Sequence, residues 1–215
     1  MHTVRCKAVL FDLDGVLVDS TPAVARVWAR WALAHGLAPE VAIAQAHGRR
    51  SVETIRALAP DMNAEEENLR VEQMEIEDKE GVTALPGAGR LLGSLPPDRF
   101  AIVTSATTPL ARARMSYAGL PLPRNLISAN DVTQGKPFPE PYLKGAELLG
   151  FRPQDCLVFE DAPAGIASAR AAGMEVIALP NTYRPEELKG ATAIVRSLTA
   201  VEVRVMADQL YLSFD

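Results

Sequence analysis

Asp12 and Asp14 stand two residues apart at the end of an apolar run, AVLFDLDG (8–15). On a strand, positions i and i+2 face the same side. Two carboxylates that close repel, and burial deepens the cost. A chain that keeps such a pair gives it a cation, a proton or open water. Two further apolar runs end in polar groups: FAIVTS (100–105) delivers Thr104 and Ser105, and CLVFED (156–161) delivers Glu160 and Asp161. A loop segment, QGKPFPEPY (134–142), carries Lys136. Taken together, these residues are four carboxylates, a hydroxyl pair and one amine, a set able to hold both a divalent cation and a phosphate. Asp12, Glu160 and Asp161 are oxygen ligands suited to Mg²⁺, which is commonly bound by a few carboxylates, water and substrate phosphate. Asp12, once ionised, is a nucleophile for phosphorus. Asp14 is placed to carry a proton to a leaving oxygen. Lys136 balances charge on the nucleophile and the phosphoryl oxygens, and Ser105 donates a hydrogen bond to one of those oxygens.

The elements that must position this set follow from the same runs. CKAVLFD (6–12), FAIVTS (100–105), NLISA (125–129), CLVFED (156–161) and MEVIAL (174–179) are near-continuously apolar. That pattern predicts strands of a parallel sheet covered on both faces. Helix-like stretches fall between them at 107–119, 139–150 and 163–173, each ending in glycine. The alternation implies βαβ units and an α/β core with a doubly wound, Rossmann-like parallel sheet. In such sheets ligands bind beyond the carboxyl ends of the strands, where all the candidate residues fall.

Residues 19–84 break the rhythm and contain no evident strand. Val24, Trp28 and Trp31 form a helical stripe, and a second helix is expected from Ser51 to near Pro60. Asp61 to Glu80 holds nine acids against Arg70 and Lys79, which reads as a solvated helix face. The expected organisation is a core of residues 1–18 and 85–215 with a helical cap, 19–84, inserted after the first strand.

DLDGVLVDS, VTS, GKPFPEPY and FEDAPAGIASARAAG, in this order and spacing, resemble the four signature motifs of the haloacid dehalogenase superfamily, and the likeness covers essentially the whole chain. The insert position resembles the subgroup with a helical cap. HGRRSVETIRALAPD (47–61) and ISANDVTQGKPFPEPYLKG (127–145) are similar to glycerol-3-phosphatases and 2-deoxyglucose-6-phosphatases. Carried onto this chain, the resemblance implies Asp12 as nucleophile and Asp14 as general acid and base. It implies Mg²⁺ held by Asp12, Asp161 and the Asp14 carbonyl, with Glu160 a direct or water-mediated ligand. Thr104, Ser105 and Lys136 would bind the phosphoryl group. An acid at position 14, absent from phosphonatases and P-type ATPases of the superfamily, favours an alcohol leaving group. In the cap, Arg49 and Arg50 are candidates for gripping the rest of the substrate, Arg49 ahead of Arg50 from the likeness alone; His47, Trp28 and Trp31 read as structural.

The expected activity is Mg²⁺-dependent hydrolysis of a small sugar or polyol phosphate through an aspartyl-phosphate. The alternative is a hexose phosphate mutase of the β-phosphoglucomutase type, which shares every core motif. A non-catalytic module would have lost Asp12 or Lys136, and neither is lost. A formal charge of −5 without a basic patch argues against nucleic acid. No apolar run approaches a membrane span, and the N-terminal segment enters a strand rather than a signal peptide. Two cysteines, Cys6 and Cys156, read as buried free thiols in a cytoplasmic protein, expected to be a monomer.

Overall fold

The computed structural model describes residues 2–215. The chain opens with β1 (His2–Cys6), β2 (Ala8–Phe11) and β3 (Val18–Asp19). Four helices follow, α1 (Thr21–Ala34), α2 (Pro39–Ala46), α3 (Ser51–Leu58) and α4 (Ala64–Glu77), and then β4 (Thr83–Ala84). Alternation resumes through α5 (Ala88–Ser94), β5 (Phe100–Val103), α6 (Thr108–Tyr117), β6 (Leu126–Ile127), α7 (Glu140–Leu149), β7 (Cys156–Glu160), α8 (Pro163–Ala171), β8 (Glu175–Ala178) and β9 (Ala193–Ile194). A hairpin of β10 (Glu202–Met206) and β11 (Gln209–Phe214) ends the chain.

The main sheet is wholly parallel, in the order β6-β5-β2-β7-β8-β9. Alternate residues of β2 serve its two faces, as the pleat dictates. Val9 and Phe11 pack with α5 and α6 residues such as Leu91, Leu110 and Met115. Ala8 and Leu10 pack with Tyr142 and Ala146 of α7 and Ile166 of α8. Helices therefore cover both faces, and Phe11 stacks on Phe159 across β2 and β7 at 5.2 Å. The strand order reverses direction at β2, whose neighbours are β5 on one side and β7 on the other. That switch point is where an open α/β sheet leaves a crevice.

Three differences from the sequence expectation are informative. The run 6–12 is two strands, not one: Lys7 interrupts it, and β1 joins β11 and β10 in a separate antiparallel sheet whose inner residues, Leu210, Leu212 and Phe214, extend the core. Residues 19–84 do carry strand at their margins, because Val18 and Asp19 pair with Ala84 and Thr83. The entry and exit of the helical segment are thus joined as a ribbon. Third, the acidic stretch 61–80 is not uniformly solvated. Glu67 and Glu75 are buried, because α4 turns Ala64, Glu67, Val71 and Glu75 to one side.

α1 to α4 bury an apolar set of their own, including Val27, Trp28, Trp31, Ile55 and Val71. Trp28 and Trp31 meet edge to face at 5.5 Å, a favoured aromatic geometry, and their indole N–H groups donate to Glu75 and Glu67. Both cysteines are free and buried, and burial pushes each thiol up to about 12. No helix among the described residues is long and apolar enough to cross a membrane.

Candidate active site

Each strand end contributes as the apolar runs suggested. β2 stops at Phe11, and the next residue, Asp12, is buried, as is Thr104 beyond β5. Glu160 is the last residue of β7, followed by Asp161, both buried. Asp12, Glu160 and Asp161 each offer an oxygen within 4.8 Å of the others. Gly15 turns the chain back at φ +81°, and a Cβ there would meet Asp161 Oδ2 at 1.9 Å. Gly165 lets the first turns of α8 lie on Glu160, where a Cβ would come within 1.6 Å of its carboxylate. Both positions need glycine for contact as well as, at Gly15, for conformation.

Lys136 stands behind Asp12. Its ammonium donates to Asp12 Oδ1 at 2.6 Å, to Glu160 Oε1 at 2.7 Å and to the Val103 carbonyl at 3.1 Å. Those are all three of its donors. Burial alone would lower its pKa, but the Asp12 and Glu160 charges raise it. Glu160 is saturated: Oε1 accepts from Lys136 and from Tyr142 Oη at 2.8 Å, and Oε2 accepts from the N–H groups of Asp161 and Ala162. Burial pushes the Asp12 carboxyl up to about 7, against the pull of Lys136, and raises Asp161 as well. With all three carboxylates ionised, the one ammonium would leave two negative charges uncompensated in a buried site. An all-oxygen donor set with that charge fits a hard divalent cation, with Asp12 and Asp161 holding free lone pairs for it.

On the other side of Asp12 lies a cleft of about 60 Å³, lined by Asp12, Asp14, Ser105, His47, Arg49 and Arg114 among others. Asp14 Oδ1 accepts from Ser20 Oγ at 2.7 Å, and Oδ2 from Arg114 at 2.7 Å. Thr104 Oγ1 accepts from the Ala106 N–H. The structure thus brings Asp12, Asp14, Thr104, Ser105 and Arg49 to one cleft, with Lys136, Glu160 and Asp161 directly behind Asp12. Arg50 is not among the residues lining this cleft; it donates to Glu53 and to the Val132 carbonyl and lines an adjacent cleft that Ser105 shares. His47, read as structural from sequence, lines the cleft, and burial lowers its pKa.

Sequence reasoning passed over Arg114 and Glu75. Both line the cleft and pair with each other at 3.3 Å. The signal was phase: Arg114 falls four residues after Leu110 on the buried stripe of α6, and Glu75 four after Val71 on that of α4. A charge in the phase of a buried stripe is a charge with a partner.

A sequence model described as haloacid dehalogenase-like hydrolase matches residues 6–173. The chain is 46% identical over 205 residues to hexitol phosphatase A of Escherichia coli, covering 93% of this chain and 95% of that protein. It is 37% identical to glycerol-1-phosphate phosphohydrolase 2 of Saccharomyces cerevisiae, covering 99% of this chain and 92% of that one. Among solved structures, a hydrolase from Pseudomonas syringae superposes with a TM-score of 0.81 at 26% identity, over 89% of this chain and 94% of that chain.

Proposed function

This chain belongs to the haloacid dehalogenase-like hydrolases, and from that premise we propose that it is a Mg²⁺-dependent phosphatase of small polyol or sugar monophosphates. The observation that carries the reading is one cleft lined by Asp12 and Asp14 together, with Arg49 across from them and a buried acidic cluster behind. The relatives named for hexitol phosphate and glycerol 1-phosphate support an acyclic polyol phosphate as the preferred class.

Asp12 attacks phosphorus with its carboxylate oxygen, and the bond from phosphorus to the sugar oxygen breaks as the aspartyl-phosphate forms. Lys136, with every donor committed, holds that carboxylate in one orientation and favours its ionised form. Asp14 gives a proton to the departing alkoxide, then takes one from the water that attacks the aspartyl-phosphate. Asp12 is restored and inorganic phosphate leaves. Ser105 and the backbone beside Thr104 stabilise the charge spread over the transferring oxygens. Mg²⁺, when bound by Asp12, Asp161 and the Asp14 carbonyl, supplies charge neutralisation at the phosphoryl oxygens. Glu160, saturated by Lys136, Tyr142 and two amides, acts by fixing Lys136.

Residues 19–84 act as a cap that brings His47 and Arg49 to the cleft, where they meet the part of the substrate beyond the phosphate. Two free, buried thiols suit a reducing cytoplasm. The test is phosphate release from a panel of hexitol, glycerol, pentose and hexose monophosphates, with no bisphosphate added. Release should be fastest from an acyclic polyol phosphate. Interconversion of hexose phosphate isomers without net phosphate release would replace this reading by the mutase.

A further inference from the structure

α6 turns Leu110, Ala111 and Met115 into the core, and Arg114 lies on the same buried side. Its guanidinium reaches two carboxylates from different parts of the chain. One nitrogen donates to Asp14 Oδ2 at 2.7 Å, and another approaches Glu75 Oε2 of α4 at 3.3 Å. Glu75 is itself held on its second oxygen by the Trp28 indole at 3.3 Å, and Asp14 on its second oxygen by Ser20 Oγ at 2.7 Å. The sequence of contacts Trp28, Glu75, Arg114, Asp14, Ser20 runs unbroken along the wall of the cleft, and all five residues line it.

Burying an arginine is costly unless its charge is met. Arg114 is only 7% exposed, and its two carboxylates meet that cost. Burial would lower its pKa, but Asp14 and Glu75 raise it. The planar fork is rigid, so it sets the position of whatever it holds more narrowly than a lysine would. Glu75 anchors the fork from the helical side, and the fork in turn determines where the Asp14 carboxyl points. With Ser20 on the opposite oxygen, Asp14 is fixed on both sides.

We propose that Arg114 is a positioning residue for Asp14, holding the carboxyl group aimed at the oxygen that leaves the phosphorus. The proposal rests on the reading of Asp14 as proton donor. It follows that the worth of Arg114 scales with how much the leaving group needs a proton. A polyol alkoxide needs one; a nitrophenolate, a far weaker base, does not.

The experiment measures kcat and KM of Asp14→Asn, Arg114→Met, Arg114→Lys and the double variant Arg114→Met/Glu75→Gln, on a polyol phosphate and on p-nitrophenyl phosphate. Thermal melts accompany each. The double variant removes the buried carboxylate that Arg114→Met leaves without its cation, and so guards against misfolding. Asp14→Asn should lose roughly 10²-fold or more on the polyol phosphate, and far less on the aryl phosphate. Arg114→Met and the double variant should show the same preference, with a loss of about tenfold or more confined to kcat on the polyol phosphate. Arg114→Lys should recover part of it. If Asp14→Asn falls equally on both substrates, the proton-donor reading fails and this proposal with it. If Asp14→Asn is selective while both Arg114→Met variants fall equally on the two substrates, or change KM alone, Arg114 is a structural or substrate-contacting residue and this proposal alone is overturned.

Discussion

The two walls of the cleft are built on different principles. On the sheet side, Asp12, Thr104, Glu160 and Asp161 follow directly from strands whose backbones are fixed by a parallel ladder. Their oxygens, with the Lys136 ammonium, form a buried set in which Glu160 and Lys136 have no bonding capacity to spare. On the helical side, His47 and Arg49 come from the connection between α2 and α3, and Glu75 from α4. Arg49 is exposed and His47 is half-buried. The first wall is desolvated and hydrogen-bonded, and in the proposed reaction it would handle only the phosphate. The second is more open and varied in chemistry, as a surface reading the rest of a substrate must be. Phosphoryl transfer relies mostly on positioning and charge, so under the proposed function the division would separate reaction from selectivity.

The strongest way to break this comparison is Asp12→Asn. The amide is nearly isosteric with the carboxylate but cannot attack phosphorus. It should lower phosphate release by about 10³-fold or more on every substrate, in line with the loss of a covalent nucleophile elsewhere. The amide oxygen still accepts from Lys136, so the circular dichroism spectrum and cooperative melt should persist. Near-normal turnover in a folded Asp12→Asn protein would put the reaction somewhere other than the sheet wall.

Chelation is the next test, and it also acts on the sheet wall alone. Removing divalent ions should abolish release from all substrates alike. Mg²⁺ should restore it, and Ca²⁺ poorly, because its larger and looser coordination shell misplaces the phosphoryl group against Asp12. A readout independent of turnover accompanies this. An ion bound only by the folded chain at a hundred times its dissociation constant adds about 2.7 kcal/mol of stability. Mg²⁺ should therefore raise the melting temperature of the wild type, and less so that of Asp161→Asn. An unchanged melt together with full activity in exhaustively chelated protein would remove the ion from the site.

The contrast between the walls also explains what the sequence made legible. A buried parallel strand is an unbroken apolar run, and the residue that ends the run ends the strand. Asp12, Thr104 and Asp161 could therefore be placed by chain position alone, and the sheet with them. The helical wall is set by rotational phase. Glu67 and Glu75 lie among nine acids, and only their register with Ala64 and Val71 distinguishes the two buried ones from the solvated remainder. Arg114 was hidden in the same way among the arginines of ARARM (111–115). The antiparallel sheet was missed for a third reason. β11 alternates in burial along QLYLSF, a strand pattern, but its turn from β10 runs through Ala207, at φ 52°, and Asp208, with no glycine to announce it. Lys7, a single charged residue inside an apolar run, gave little warning that one apparent strand was two.

The finest test of the comparison lies within the helical wall, between two neighbouring arginines that the sequence offered together, Arg49 ahead of Arg50 only by family likeness. Arg49 lines the cleft; Arg50 does not. Arg50 instead donates to Glu53 within its own helix start and to the Val132 carbonyl across the gap to the sheet side. Arg49→Ala should lose one charge-assisted contact with the substrate, worth about 1.5–3 kcal/mol, which is roughly a tenfold to hundredfold drop in kcat/KM. That drop should appear on the preferred polyol phosphate and largely vanish on an aryl phosphate, which offers no hydroxyls. Arg50→Ala removes a short-range helical pair and a weak bond to a carbonyl. Such changes stay near 0.5 kcal/mol, so kcat/KM should move by no more than about threefold on either substrate. The measurement is kcat/KM for both variants on both substrates. Equal losses for Arg49→Ala on the two substrates would transfer Arg49 to the shared chemistry of the sheet wall. A selective tenfold loss for Arg50→Ala would mean that its bond to Val132, spanning the two walls, holds the helical wall in its working position over Asp12.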